Sequence, residues 1–581
     1  MSRINSQLLT EVSEDLLMTH TKEIAKWVRL SGSEDEARSL EYVKRALREY
    51  GYEVREYHFE SFVGYPEFAE VAVLGPGGKR FAGSVPALAT STPRQGITAK
   101  LLYVGKGDDY KRFDAKGKIV LIDGLSNPRL AKLSEEHGAV GQIFINDDYA
   151  HEGIISVIWG TPTPETAPLL PKTPCINITA SEGEFLIRLL KRRPVKVKLK
   201  TKAWRGWKKI PVVTADLKGR EDDFVLFSGH IDSWYYGAMD NGSANATMLE
   251  VARVIASHRE LLRRGLRLAF WSGHSHGRYA GSAWYADNFW EDLYEHCVAH
   301  VNVDSVGGKG ATLLSEAYVM IETKDFVSSI VEHVCGQKLA GRRFSRAGDQ
   351  SFWGLGIPAM LMALSEQPPS GSKTASFVFS PHSGGLGWWW HTRDDTVDKI
   401  DPTLLLRDAK IYALIISQLC SSPLLPFDYS ATVNEIEHKL SELQTQARDL
   451  FDLTPLIEKA KTLKELVVRL NGQTDALRKG IESGASPDSG TIARINETIK
   501  LLGRLLVPIN YSKVGPFDQD LAVPIPAVPV LDPIKDLPKL KPTSDEYRFL
   551  QTRLRRESNK VSYAFLQAEK SVTRLLKEIG T

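Results

Sequence analysis

Three short apolar runs, Phe224–Ser228, Leu266–Trp271 and His300–Asp304, are separated by helix-length connections, and each leads into side chains that bind metals or move protons. Such spacing predicts parallel strands joined by right-handed crossovers. Open sheets of that kind bind ligands beyond the carboxyl ends of their strands. The first run leads through Gly229 to His230 and Asp232, with Asp240 opening a helix-like segment at 241–257; the second leads to His274 and His276; the third ends on Asp304. One polar strand end is compatible with a satisfied structural residue, but three converging on one edge point to a site.

The chain upstream reads as helix and then strand. Ser33 and Glu36 have capping-box spacing, Ala37, Leu40, Val43 and Leu47 recur at helical intervals, Gly51 suits a C-terminal cap, and Tyr52–Phe59 alternates as a strand does. From about 62 to 203 the texture changes to short β-like runs (AEVAVLG, KLLYVG, GKIVLIDG, GQIFIND, PCINIT) with helix-like intervals at 127–137 and 182–190. That pattern predicts a β-rich module inserted into the main sheet. After Ile400 the chain turns helical. Val433, Ile436, Leu440 and Leu443, then Leu456, Ala460, Leu463 and Leu470, predict a helical hairpin, and a Pro-rich connector at 508–542 reads as extended. A last helix opens with a Thr543-x-x-Glu546 capping box and carries an apolar stripe from Tyr547 to Ile579, which needs the hairpin or another subunit as its partner.

Composition narrows the function classes. A chain of 581 residues exceeds one core and implies several domains. With 42% hydrophobic and 25% charged residues and a net charge of +3, it is neither a disordered chain nor a strongly basic nucleic-acid binder. Four scattered cysteines give no disulfide framework and no thiolate zinc knot, there is no basic-then-apolar start, and no run is long enough to span a membrane. The expectation is a cytoplasmic protein without nucleic-acid or membrane partners.

The motifs resemble those of the di-zinc aminopeptidases, the family that also holds glutamate carboxypeptidase II, the transferrin receptor and glutaminyl cyclase-like proteins. GHIDSWYYGAMDNGSANATMLEVAR is similar to the family's GHxDS…GAxDNGSGxAxxLExAR, Asn302-Val303-Asp304 to its N-x-D strand end, the segment from Gly348-Asp349 to Gly356-Ile357-Pro358-Ala359 to its D…F…GIPA stretch, and His391-Thr392-Arg393-Asp394-Asp395-Thr396 to its HTxxDT motif. The insertion resembles a protease-associated domain. The implied fold is α/β, a mixed and largely parallel sheet sandwiched by helices, formed by 1–61 and 204–425, with the β-rich insertion at 62–203 as a lid. A helical, dimerisation-like domain follows at 426–581, implying a homodimer.

The resemblance also assigns a ligand set. His230, Asp240 and Asp304 would hold one Zn2+, and Asp240 would bridge to a second held by His391, with another divalent transition metal as the alternative occupant. Asp232 would orient His230 from behind, and the Asp240–Asn241 peptide would be cis. The departure is the middle motif: the family's W-x-G-E-E-x-G-L-x-G-S is here Trp271-Ser272-Gly273-His274-Ser275-His276-Gly277-Arg278-Tyr279-Ala280-Gly281-Ser282. Counting from the strand puts His274 in the place of the catalytic base and Ser275 in that of a ligand. Counting back from Gly281-Ser282, with one inserted residue, puts His276 in the ligand place. Either imidazole suits a ligand or a general base. Trp234, Tyr236, Arg278, Tyr279, His382 (in SPHSGGLG) and Trp390 are the candidate substrate contacts. The expected function is metal-dependent hydrolysis of an amide or peptide bond in a small peptide or N-acyl compound. The alternatives are a single-metal lyase or acyl-transfer enzyme and a non-catalytic binding or scaffold protein.

Overall fold

The structure, a computed structural model, describes residues 3–344, 346–369 and 382–580. Among the described residues there are eleven strands: β1 (Glu53–Val73), β2 (Arg80–Ala82), β3 (Ile97–Tyr103), β4 (Ile119–Asp123), β5 (Gly141–Ile145), β6 (Cys175–Ile178), β7 (Lys196–Leu217), β8 (Phe224–His230), β9 (Gly265–Trp271), β10 (Cys297–Asn302) and β11 (Ala359–Met360). They make one sheet in the order β11-β10-β8-β9-β7-β3-β4-β5-β6, with β1 paired to β7 and β2 to β1. Pairs β10–β11, β8–β10 and β8–β9 are parallel, as are β3–β4, β4–β5 and β5–β6. The long strand β7 joins these two parallel blocks, antiparallel to β9 through Val212–Leu217 and to β3 through Lys196–Leu199.

The strand expected at Tyr52–Phe59 is therefore much longer. β1 runs to Val73 and pairs antiparallel with β7 from Glu53 opposite Asp216 to Val73 opposite Val197. Residues 62 and 203 lie inside this ribbon, so the inserted module continues the main sheet. It nonetheless has its own core, in which Val71, Ile119, Leu121, Phe144, Ile176 and Leu199 are buried.

A further core joins the sheet to the helical region. Val225, Phe227 and Val301 of the sheet, Tyr412 of the helix Pro402–Ser421 and Val433, Leu463 and Phe565 of the helical region belong to one continuous apolar cluster. Each such side chain removed from water contributes about 1.5–3 kcal/mol, which welds the helical region to the sheet.

The expected hairpin is present as helices Tyr429–Ala447 and Thr454–Glu482. The apolar stripe of the last helix, Asp545–Glu578, is buried at Leu554, Val561, Phe565, Ala568 and Val572 against the chain's own helices. Its cap is Ser544, whose Oγ accepts from Tyr547 N, rather than the Thr543 box. The Pro-rich segment also differs from expectation. Pro508 lies within the helix Ser489–Tyr511, and Pro529–Lys539 is a 3-10 helix. Val528, Leu531, Ile534 and Leu537 recur every third residue and are all fully buried, so the three-residue period of a 3-10 helix places them on one covered face. Among the described residues no helix is long and apolar enough to cross a membrane, and the four cysteines are free.

Candidate metal centre

Strands β8, β9 and β10 run parallel with their carboxyl ends level, His230 lying opposite Trp271 and Ser228 opposite Asn302. Gly229 allows this closeness, since a Cβ there would stand 2.8 Å from Val303 O. The segment that follows β8 then stitches the strand ends together. Asn241 Nδ2 donates to His230 O and Val303 O, Asn241 Oδ1 accepts from Ser305 N, and Asn245 Nδ2 donates to His230 O at 2.7 Å. The Asp240–Asn241 peptide is cis.

Asp240 is placed between two imidazoles. Its Oδ1 is 3.0 Å from His230 Nε2 and its Oδ2 is 2.8 Å from His391 Nε2, while Asp304 Oδ2 is 3.6 Å from His230 Nε2. Ligand atoms of His230, His274 and Asp304 all lie within 4.8 Å of one another. Two further observations fit a divalent cation. Among the described residues neither Asp240 nor Asp304 has a Lys or Arg within ion-pair distance, and His230 Nε2, fully buried and near both carboxylates, is aligned for a hydrogen bond with neither. Against the opposing effect of burial, His230 and His391 hold Asp240 well below the usual carboxylate range, so the bridging group is ionised. A buried set of carboxylate oxygens and imidazole nitrogens suits zinc.

Main-chain and carboxylate acceptors fix the ligand rings. His230 Nδ1 donates to Asp232 O at 2.8 Å, leaving Nε2 to face the centre. The resemblance gave Asp232 this orienting role; its carbonyl accepts from Nδ1, and its Oδ1 lies 3.5 Å from the same nitrogen. The carboxylate instead accepts from Ser275 N at 2.8 Å, His274 N at 3.3 Å and Ser31 Oγ at 2.8 Å, and so holds the short helical turn His274–Gly277.

That turn separates the two histidines that the motif left in competition. The His274 ring stacks on His230 at 3.8 Å between centroids, and its Nδ1 lies 2.6 Å from Asp349 Oδ2, whose Oδ1 accepts from Ser282 Oγ. His276 turns the other way. It is fully buried, with Nδ1 2.9 Å from Ser31 Oγ, and its ring packs against Trp234 and Tyr65. Burial lowers its pKa and leaves a neutral core ring. Ser275 lines the cavity beside the centre.

Three contributors were not singled out from sequence. Asp395, inside the HTxxDT motif, accepts from Met239 N at 2.8 Å and Asp240 N at 3.0 Å and so fixes the bridging residue; burial pushes its pKa up to about 7. Arg29, fully buried, donates to Ile231 O, Tyr236 O and Gly237 O and clamps the aromatic loop after His230. Glu152 comes from the inserted module, which the resemblance implied only as a lid. Its carbonyl accepts from His391 Nδ1 at 2.9 Å, its N–H donates to His391 O, and its carboxylate takes the Tyr235 hydroxyl at 2.8 Å. No local signal marks a contact across some 240 residues, whereas Asp395 stood in a quoted motif.

The centre opens into a cavity of about 380 Å³. Trp234, Arg278, Tyr279 and Trp390 line it together with Glu152 of the insertion and Ala522 of the C-terminal region. Of the other candidate contacts, Tyr236 and His382 are exposed and are not among the lining residues; Ser380 and Pro381, which precede His382 in SPHSGGLG, lie outside the described residues.

Comparison with known proteins points to a peptidase family. Residues 212–416 match the model of Peptidase family M28. The chain is 23% identical over 491 residues to a protein named probable glutamate carboxypeptidase VP8 of Zea mays, covering 71% of this chain and 68% of that one. It is 26% identical over 385 residues to aminopeptidase YwaD of Bacillus subtilis, covering 64% and 77%. A solved zinc aminopeptidase from Bacillus subtilis superimposes with a TM-score of 0.50 at 22% identity, over 71% of this chain and 96% of that one.

Proposed function

We propose, from the premise that residues 212–416 are a domain of Peptidase family M28, that the protein is a zinc-dependent hydrolase of peptide bonds. The observation that carries this reading is the shared carboxylate of Asp240 between His230 and His391, with Asp304 beside it. The family match does not favour the lyase, acyl-transfer or scaffold alternatives. The named relatives, an aminopeptidase and a probable glutamate carboxypeptidase, support a peptide as substrate.

His230, Asp240 and Asp304 would hold one zinc ion, and Asp240 with His391 would contribute to a second. Bound there, zinc would polarise the amide carbonyl and lower the pKa of water. The chain's own residues supply the rest. His274 Nε2, with Nδ1 held by Asp349, would take the proton that the attacking water loses and return it to the departing amine. This assigns His274 the work of the family's first Glu, Asp349 the positioning of its ring, and His276 a packing role beneath it. Trp234 and Trp390 wall the cavity and reduce water's access to the bond being cut.

The cavity lining supports the insertion at 62–203 as a protease-associated lid, since its segments around Asn127 and Glu152 close the site. The free cysteines suit a cytoplasmic setting. A homodimer through the helical region would use its outward faces, where Phe549 and Tyr563 are exposed. The assignment of His274 is tested by His274→Ala. The expected result is a kcat lower by roughly 10²–10⁴-fold with zinc content unchanged by atomic absorption; loss of zinc along with activity would make His274 a ligand instead.

A further inference from the structure

One stretch of the inserted module concentrates positive charge. Residues 188–202, RLLKRRPVKVKLKTK, hold eight Lys and Arg and no acid, against a net charge of +3 for the whole chain. The remainder of the chain is therefore net acidic, and whole-chain charge averages this stretch away. The structure sorts it by face. Along β7, Val197, Leu199, Thr201 and Ala203 are buried, and Lys196, Lys198, Lys200, Lys202 and Trp204 alternate with them on the opposite face. Four successive outward positions are thus lysine, spaced about 7 Å apart along the strand.

Neighbouring strands extend this face. Exposed Lys100 of β3 lies directly opposite Lys196, and Phe68 of β1 lies opposite Lys202. Among the described residues Lys100, Lys196, Lys198 and Lys200 have no acid within ion-pair distance; the acids nearby are taken, Glu67 by Lys202 and Glu70 by Arg80. Like charges directly opposite one another across a strand pair are destabilising. An anionic surface laid over the face would relieve that repulsion, and the acidic remainder of the chain would turn this face toward it. The rings beside the ladder decide what kind of surface fits. Phe68 and Trp204 are 50% and 40% exposed, and Trp204 stacks on Tyr65 at 5.3 Å between centroids. An acidic protein or polyanion needs only the charges, whereas the boundary between lipid headgroups and acyl chains takes lysines and aromatic rings together. Lysine point charges also suit scattered headgroups, whereas the phosphates of nucleic acid favour the planar arginine fork.

We infer that the lysine ladder of β7, with Phe68 and Trp204, is a docking face for an anionic lipid bilayer, on which the protein sits peripherally. This goes beyond the hydrolase reading and does not depend on it. The test is co-sedimentation of the full chain with vesicles of equal parts phosphatidylserine and phosphatidylcholine, and with vesicles of phosphatidylcholine alone. The wild type should bind the first and not the second, and added salt should release it. The triple variant Lys196→Gln, Lys198→Gln and Lys200→Gln should bind the mixed vesicles about tenfold or more weaker at an unchanged melting temperature. Lys198→Glu alone supplies the same test if the triple variant is unstable. Phe68→Ala with Trp204→Ala should also weaken binding, although no charge is lost. Wild-type binding that phosphatidylserine does not improve, or lysine variants that bind as the wild type does, would overturn the docking face. Binding that the ring variant leaves intact would make the patch purely electrostatic and overturn the bilayer assignment. Capture of a single-stranded oligonucleotide by the same lysines, with no vesicle binding, would overturn it in favour of nucleic acid.

Discussion

His274, standing where the resemblance leads one to expect a glutamate base, lies against Asp349. A glutamate in the base position needs no second residue to choose its proton-bearing atom, whereas an imidazole must be told which nitrogen is free. Asp349 does this with a 2.6 Å contact to Nδ1, and Ser282 steadies its other oxygen. Asp349→Asn should therefore lower kcat by roughly 10–100-fold without changing zinc content, whereas Asp240→Asn, which removes the shared carboxylate, should lose metal and activity together. Metal analysis and turnover on the same preparations separate the two. At this scale the ligand candidates were legible because His230, Asp240, Asp304 and His391 sit in spaced motifs. The choice between His274 and His276 was not. Each suits the chemistry, and only the turn held by Asp232 aims one toward His230 and the other toward Ser31 and Trp234.

Elements were read correctly where one pattern dominated. Strands β8 to β10 are continuous apolar runs buried on both faces, and the helices near 433–470 follow a clean 3.6-residue period. The Pro529–Lys539 segment defeated the reading because its proline count argued against helix, while its period of three, the signal of a 3-10 turn, was available in Val528, Leu531, Ile534 and Leu537. The join between sheet and helical region carries a testable charge. Glu322, in the 3-10 turn Ile321–Thr323, is buried under the helix Tyr429–Ala447 and accepts from Thr432 Oγ1 at 2.8 Å. Burial raises its pKa from 4.5 to about 7. The folded state thus holds this proton more tightly than the unfolded chain does, so the contribution is full at low pH and disappears as pH rises through about 7. The wild type should lose up to about 3 kcal/mol relative to Glu322→Gln between about pH 4.5 and about pH 7. Melting temperatures of the two proteins across that range check this, and a constant difference would contradict it.

For the whole molecule, the inserted module matters more than its sequence suggested. The β1–β7 ribbon runs from the main sheet into it, and its Glu152 backbone holds His391. The helical region shares the main core and reaches the cavity through Ala522 and Pro524. The site is thus assembled from three stretches of chain whose contacts are set by the ribbon and the shared core, which no local pattern encodes. In the reading proposed above, this assembly holds zinc for peptide hydrolysis. The most direct measurement is the rate of peptide-bond cleavage by one preparation before chelation, after chelation and dialysis, and after zinc is restored. Cleavage that disappears with the metal and returns with zinc is the predicted result. Undiminished cleavage in metal-free protein, or none in the zinc-loaded protein across peptides with and without carboxylates, would contradict it.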